Sequence, residues 1–214
     1  MKPLSHSALN REQVGLGIWC YRLFRMRFSR GDFVDRTGIA EEGSTMRDLD
    51  SLSKEEAVKY LKFLSGLAIA VDGLWFMAVE KVTGFDEALR LDIDVWAGYA
   101  PVVVKRIRRE FGIRGTGLEA LKEVISHDPL WWSMDVRIVE DSARRLAFEV
   151  RDCPSLMAQE KMGREILTCE PVERAYLEAL AKAVDPGIKV EALKLPPRES
   201  PDEVCCRWAY YIEG

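Results

Sequence analysis

The stretch from Ser53 to Gly84, SKEEAVKYLKFLSGLAIAVDGLWFMAVEKVTG, is what most narrows the folds open to this chain. Ser53 and Glu56 stand in the S-x-x-E relation of a capping box, in which a hydroxyl and a carboxylate satisfy the free amides of a first helical turn. No proline follows before Thr83-Gly84, so the pattern predicts a helix from about Lys54 to Val82. From Phe63 onward it is apolar nearly all round, the pattern of a helix buried on several sides. The rest of the chain must then supply elements to cover it.

Within that helix, IAVDGLWFMAVE sets one carboxylate, Asp72, among branched, aromatic and sulfur-bearing side chains. The most apolar run, Gly66 to Val79, falls short of the ~20 residues of a bilayer span and is interrupted by Asp72. A core helix is expected, without integral membrane insertion. At helical spacing Asp72 shares a face with Ala68, Ile69, Trp75, Phe76 and Val79. A carboxylate so placed either raises its pKa or finds a cation. It could pair with the basic residues of VKRIRREFGIR (Lys105, Arg106, Arg108, Arg109), or it could be the polar group of an aromatic pocket.

The following segments read in the order helices, ββ, αα, ββ. Asp86 opens a second helix that reaches about Phe111, with Pro101 as a kink and Gly112 as the stop, and a shorter helix runs from Gly117 to Ser126. From Trp132 the period changes to two: Trp132, Met134, Val136 and Ile138 alternate with Ser133, Asp135, Arg137 and Val139, the mark of a half-buried strand. Leu146, Phe148 and Val150 form one face of its hairpin partner. Helices follow at Ser155 to about Met162 and Pro171 to about Val184, then strands at Ile188 to Leu195 and Val204 to Ile212. The predicted class is α+β: N-terminal helices followed by ββααββ, with a four-stranded antiparallel sheet covered by helices. Residues 52–214 are expected to form this single domain. Residues 1–51 are read as an extension, an amphipathic basic helix over about 11–29 followed by a glycine-punctuated linker.

A net charge of −4 and a pI near 5.4 disfavour a nucleic-acid binder, which needs a basic face to displace counterions from phosphates. The N-terminal sequence lacks the apolar core of a secretory signal, and five scattered cysteines do not make a disulfide scaffold, so a reduced, cytoplasmic protein is expected. The run GIRGTG at Gly112 to Gly117 matches neither phosphate-binding glycine fingerprint and follows a helix, so it suggests no nucleotide site.

Cys153 directly precedes the helix start at Pro154-Ser155, and Cys169 directly precedes Glu170-Pro171. Free amides and the helix dipole at such positions favour thiolate. Cys206 shares a strand face with Val204, Trp208, Tyr210 and Ile212, whereas Cys205 should point to the other face. Cys153, Cys169 and Cys206 are therefore the candidate metal ligands, for zinc or iron, with His127 or Asp152 as a fourth; no C-x-x-C pair supports them, and small apolar buried cysteines are the simpler alternative. Of two histidines only His127, in SHDPLWW, lies beside aromatic residues where it could line a pocket. Trp75, Trp96, Trp131, Trp132 and Trp208 supply the aromatic walls that a small-molecule cavity uses.

The stretches VDGLWFMAVEKVTGFDEAL, RDCP, GREILTCEPVERAYLEALAKAVDP and IKVEALKLPPRESPDEVCCRWAYY together resemble an uncharacterised prokaryotic family of cytosolic proteins that combine a DGLWF-type helix, three spaced cysteines and a closing C-x-W strand. The resemblance covers about residues 52–214. The C-terminal half is more distantly similar to vinyl-reductase domains and to aminothiazoline-carboxylate hydrolase-like proteins. It implies an α+β fold that binds small, often hydrophobic molecules between helices and sheet, with Cys153, Cys169 and Cys206 as the family cysteines and Asp72 to Phe76 as the helix motif.

The expected function is small-molecule binding in the cytosol, with Asp72, Trp75, Phe76, His127 and Trp132 near the ligand. A metal- or thiol-dependent hydrolase built on the three cysteines is the enzymatic alternative, and a partner-binding adaptor working through the Arg22 to Arg30 segment is a third. No nucleic-acid partner is expected, and a homodimer is compatible with each of these. Whether the chain is an enzyme stays open.

Overall fold

The computed structural model describes residues 49–213. The amphipathic helix expected over residues 11–29, and with it the Arg22 to Arg30 segment, lies outside them. After a 3-10 turn at Leu49–Ser51, the elements are α1 (Lys54–Thr83), α2 (Phe85–Phe111), α3 (Gly117–Ser126), a 3-10 helix (Pro129–Ser133), β1 (Asp135–Asp141), β2 (Arg145–Asp152), α4 (Pro154–Lys161), α5 (Cys169–Val184), β3 (Ile188–Lys194) and β4 (Cys206–Ile212). The strands form one antiparallel sheet in the order β1-β2-β4-β3. The class is α+β.

Local chemistry accounts for most of the boundaries. The Ser53–Glu56 capping box forms in both directions. Gly84, at φ 88°, separates α1 from α2, and Gly112, at φ 70°, takes the left-handed conformation that ends α2 without a Cβ penalty. The second helix runs on through Pro101 as a single element.

Trp132 and Ser133 were expected in a strand. Instead Asp128 caps a 3-10 helix over PLWWS, its carboxylate accepting from the Leu130 amide at 3.1 Å with Pro129 in the first turn. The period-two reading extended one turn too far because Trp132 and Met134 happen to continue the alternation. Ile138 also ends half exposed, since β1 is an edge strand.

The core lies between the sheet and the helices. In β2 and β4, Phe148 pairs with Trp208, Leu146 with Tyr210 and Val150 with Cys206, which places these side chains on one face. Against that face pack Tyr176, Leu177 and Leu180 of α5, Val103, Val104 and Ile107 of α2, and Leu121 and Val124 of α3. The opposite face carries the small pair Ala147 and Ala209, with Glu149 held between Arg151 and Arg207.

Helix α1 is not the enclosed core helix that its composition predicts. Only Ser65 and Phe76 are buried along its whole length, and Trp75 is 70% exposed. By length and composition it is apolar enough to cross a membrane, with 11% of its most apolar window buried. The side facing the protein is tied down by polar contacts. The Ser65 hydroxyl donates to the Leu130 carbonyl at 3.0 Å and accepts from the Ser133 amide at 3.1 Å, and a two-pronged ion pair joins Arg164 to Glu80. The Arg164 guanidinium also lies 5.5 Å over the Phe76 ring.

Candidate functional site

A cavity of about 480 Å³ opens between α1, α2, α4, α5 and the ends of β2 and β4. The α1 wall is Gly66, Ile69, Ala70, Asp72, Gly73 and Phe76; α2 adds Asp92 and Trp96; and Trp131, Tyr176 and Trp208 give aromatic surface. Trp96, Tyr99 and Tyr176 interlock around one side, with edge-to-face contacts at 5.6 and 5.7 Å. Arg164 is the guanidinium on the lining, and it is already engaged by Glu80.

Asp72 does not find the basic neighbours anticipated for it. Helices α1 and α2 run as a hairpin about Gly84, which brings Asp72 level with Asp92 and Trp96. Lys105 to Arg109 lie roughly two and a half turns further along α2, and Arg108 binds the Gly115 carbonyl instead. Burial pushes the Asp72 carboxyl above the usual carboxylate range, opposed by the Trp96 indole N–H. Burial, with the Asp72 charge second, pushes Asp92 to about 7, again opposed by Trp96. Two carboxyls thus share one indole donor on an apolar wall, and ionising both is unfavourable.

The opposite wall carries sulfur. Cys153 caps α4, Cys169 begins α5, and Cys205 and Cys206 stand at the start of β4; all four line the cavity. The helix N-termini do not make thiolates here. Burial holds Cys153 at about 11, against the opposing Leu156 amide, and Cys169 at about 12, and it raises Cys206 further. Desolvation outweighs the dipole because the thiols are largely buried and lie near one another and Glu173. Cys205, expected to point away, is the more buried of its pair. It precedes the strand, donates its amide to the Val150 carbonyl at 2.7 Å and directs its thiol at the Arg151 carbonyl, so strand alternation does not govern it.

Glu173, one turn into α5, faces the same cavity and is pushed up to about 7 by burial and then by Asp128. Gln159 holds the thiol wall together: its carbonyl accepts from the Thr168 amide at 3.0 Å and its amide reaches the Cys169 sulfur at 3.7 Å. Among the described residues no three His, Cys, Asp or Glu side chains are placed to hold a metal ion. The fourth-ligand candidates are elsewhere. His127 stacks on Phe111 at 4.3 Å with Nδ1 against the Glu123 carbonyl, closing the end of α3, and Asp152 is exposed opposite Asp135.

Of the residues expected near a ligand, Asp72 and Phe76 line this cavity. Trp75 falls on the outer side of α1, on the face with Leu67, Val71 and Leu74. Trp132 lines a second, more open cavity of about 610 Å³ between the N-terminal part of α1 and the sheet, with Leu61, Lys122 and Val136. Asp92 and Glu173 were not singled out as site residues from the sequence, and Trp96 was read only as one of five tryptophans available for an aromatic wall. Asp92 sits two residues from Asp94 in LDIDVW, and only the helix hairpin decides that it is the one facing inward.

A helical hairpin laid over a four-stranded antiparallel sheet, with a thiol- and carboxyl-lined cavity between them, defines the class: an α+β domain with a cavity between helices and sheet. The chain belongs to DUF6125, a family of unknown function, which it matches over residues 50–212. No curated protein and no solved structure matches it.

Proposed function

We propose that this domain binds a small, largely apolar molecule bearing a protonated amine or another strong hydrogen-bond donor, with the apolar part among Phe76, Trp131, Tyr176 and Trp208 and the polar group at Asp72 and Asp92. The observation that carries the proposal is the convergence of Asp72, Asp92 and Trp96 on the wall of a 480 Å³ cavity, with no ion pair to either carboxyl among the described residues. A volume in this range, apolar walls and a few convergent polar groups are what small-molecule sites have in common. A ligand ammonium would offset the cost of ionising the pair and gain from the surrounding aromatic faces.

The hydrolase alternative would need a thiolate or a metal at Cys153, Cys169 and Cys206, and burial favours the protonated thiols at neutral pH. The carboxyl side of the cavity is therefore the better guide to the ligand. An adaptor role would rest on residues outside those described.

The test compares 1-octylamine with octanoate by isothermal titration calorimetry. Octylamine should bind more tightly as pH rises from about 6 to 8, because Asp92 loses its proton near 7 while the amine stays charged. Asp92→Asn should remove that dependence. Octanoate binding as well as octylamine across the range would reject the proposal.

The same substitution carries a stability signature. Asp92 has a native pKa above its unfolded value of 3.8, so the native state holds more protons between the two and stability falls as pH rises from about 4 to about 7. The melting temperature of Asp92→Asn relative to wild type should therefore increase from pH 5 to pH 8, as read in a series of thermal melts.

A further inference from the structure

The exposed side of α1 follows a rule of its own. Tyr60, Leu64, Leu67, Val71, Leu74 and Ala78 recur at spacings of four and three, the seven-residue repeat of a helix that packs along another helix. Val71 and Leu74 are 66% and 63% exposed, and Phe63, Trp75 and Val82 widen the seam on its flanks. Asp72, the one charged residue between Phe63 and Val79, points the other way, into the cavity. A second seam of the same spacing, Leu91, Val95, Gly98 and Val102, runs along the exposed side of α2.

We propose that this face of α1 is a homodimer interface, in which the seam of one copy packs against the same seam of another. From Tyr60 to Val82 the seam and its flanks hold eight large apolar side chains, each 39–83% exposed, an apolar strip of the kind that marks a protein–protein contact rather than the scattered apolar surface of a monomer. A seven-residue seam is self-complementary, as a two-fold dimer requires, and no charge in its central part must be desolvated to form it. Apolar residues on both flanks fit a bundle of several helices better than a two-stranded coil, and pairing hairpin with hairpin makes four.

A bilayer is the rival occupant, and the inner side of α1 argues against it. Ser65 is bonded to the 3-10 helix midway along α1, and Glu80 to Arg164 near its end, so a crossing helix would carry an attached domain with the charged edge strand Asp135–Asp141 into hydrocarbon. The interface does not rest on the ligand reading: Asp72 and Phe76 face the cavity, and of the seam residues only Leu74 also reaches its lining.

Sedimentation velocity of the full chain tests the assignment. Wild type should sediment at twice the chain mass of 24.4 kDa at micromolar concentration. Leu67→Glu with Val71→Glu should weaken association by at least about 100-fold, with the helical circular dichroism retained. Should that variant fail to fold, Leu67→Ala with Val71→Ala is the substitute, expected to weaken association roughly tenfold. Val139→Glu, a charge on the exposed edge strand, should leave the dimer intact. The assignment is overturned if wild type stays at the single-chain mass up to about 100 µM, or if a dimer forms that neither seam variant weakens. It is equally overturned if the chain is monomeric in buffer and floats with phosphatidylcholine–phosphatidylglycerol vesicles.

Discussion

Asp128→Ala is expected to lower the unfolding free energy by about 3 kcal/mol, placing it among the more damaging single substitutions in this chain. Asp128 is fully buried. One carboxylate oxygen accepts the Tyr176 hydroxyl and the other the Leu130 amide, and the Trp131 indole N–H lies close by. Alanine would leave a buried tyrosine hydroxyl and a backbone amide without partners. It would also uncap the 3-10 helix that presents Leu130 and Ser133 to Ser65 of α1, loosening the cavity wall along with the core.

Burial raises the Asp128 pKa, opposed by the Tyr176, Leu130 and Trp131 hydrogen bonds. The native state therefore holds its proton above 3.8, and ionisation costs stability as pH rises beyond that value. Asp128→Asn keeps an acceptor without the charge and should lose clearly less than alanine at neutral pH. Urea denaturation would show the effect as a lower midpoint at constant slope. A loss below about 1 kcal/mol for alanine would mean that Asp128 does not hold the 3-10 helix in place.

Trp208→Ala should cost about 4 kcal/mol, in the range for emptying a large aromatic site in a packed core. Trp208 is buried between Phe148, its partner across the β2–β4 ladder, and the Arg174 guanidinium, which lies 5.3 Å over the ring. It also lines the cavity, so the space vacated joins the ligand volume rather than closing. Its indole nitrogen is buried with no oxygen or nitrogen acceptor, only the weakly accepting Cys206 sulfur being within reach. Trp208→Phe, which removes that poorly satisfied donor and keeps most of the ring volume, should therefore lose no more than about 1 kcal/mol. Thermal melts of both variants separate the two contributions. If they lose the same amount, the indole N–H contributes more than the packing does.

Much of the fold was legible in the residues because it rests on local chemistry. The Ser53–Glu56 box starts α1, Gly84 and Gly112 bound α2, and alternation around Phe148 and Trp208 marks the inner strands, since caps, positive φ and strand period depend on neighbours in sequence. The cavity was legible only in part. Asp72 stands out as a carboxylate in an apolar run, but its partner could not be read, because Lys105 to Arg109 and Asp92 lie on the same helix and only the hairpin geometry decides which of them comes level. His127 and Trp132 looked like pocket residues from their aromatic company, whereas the Asp128-capped 3-10 helix turns Trp132 toward the other cavity and the Glu123 carbonyl and Phe111 hold His127 at the end of α3. Glu173 carried no signal at all, because its helix reads as ordinary and amphipathic.

The sequence by itself determined the order and approximate extent of the helices and strands, apart from the 3-10 helix at Pro129–Ser133, that the sheet is antiparallel and covered by helices, and that α1 is apolar beyond the need of one packed face. Only the tertiary structure decided which side of α1 meets the protein, that the thiols are held protonated rather than activated, and that two aspartates converge on one tryptophan. Element boundaries follow from interactions within a few residues. Desolvation and carboxyl pairing depend on which distant surfaces come together, and the spacing of residues along a chain does not encode that.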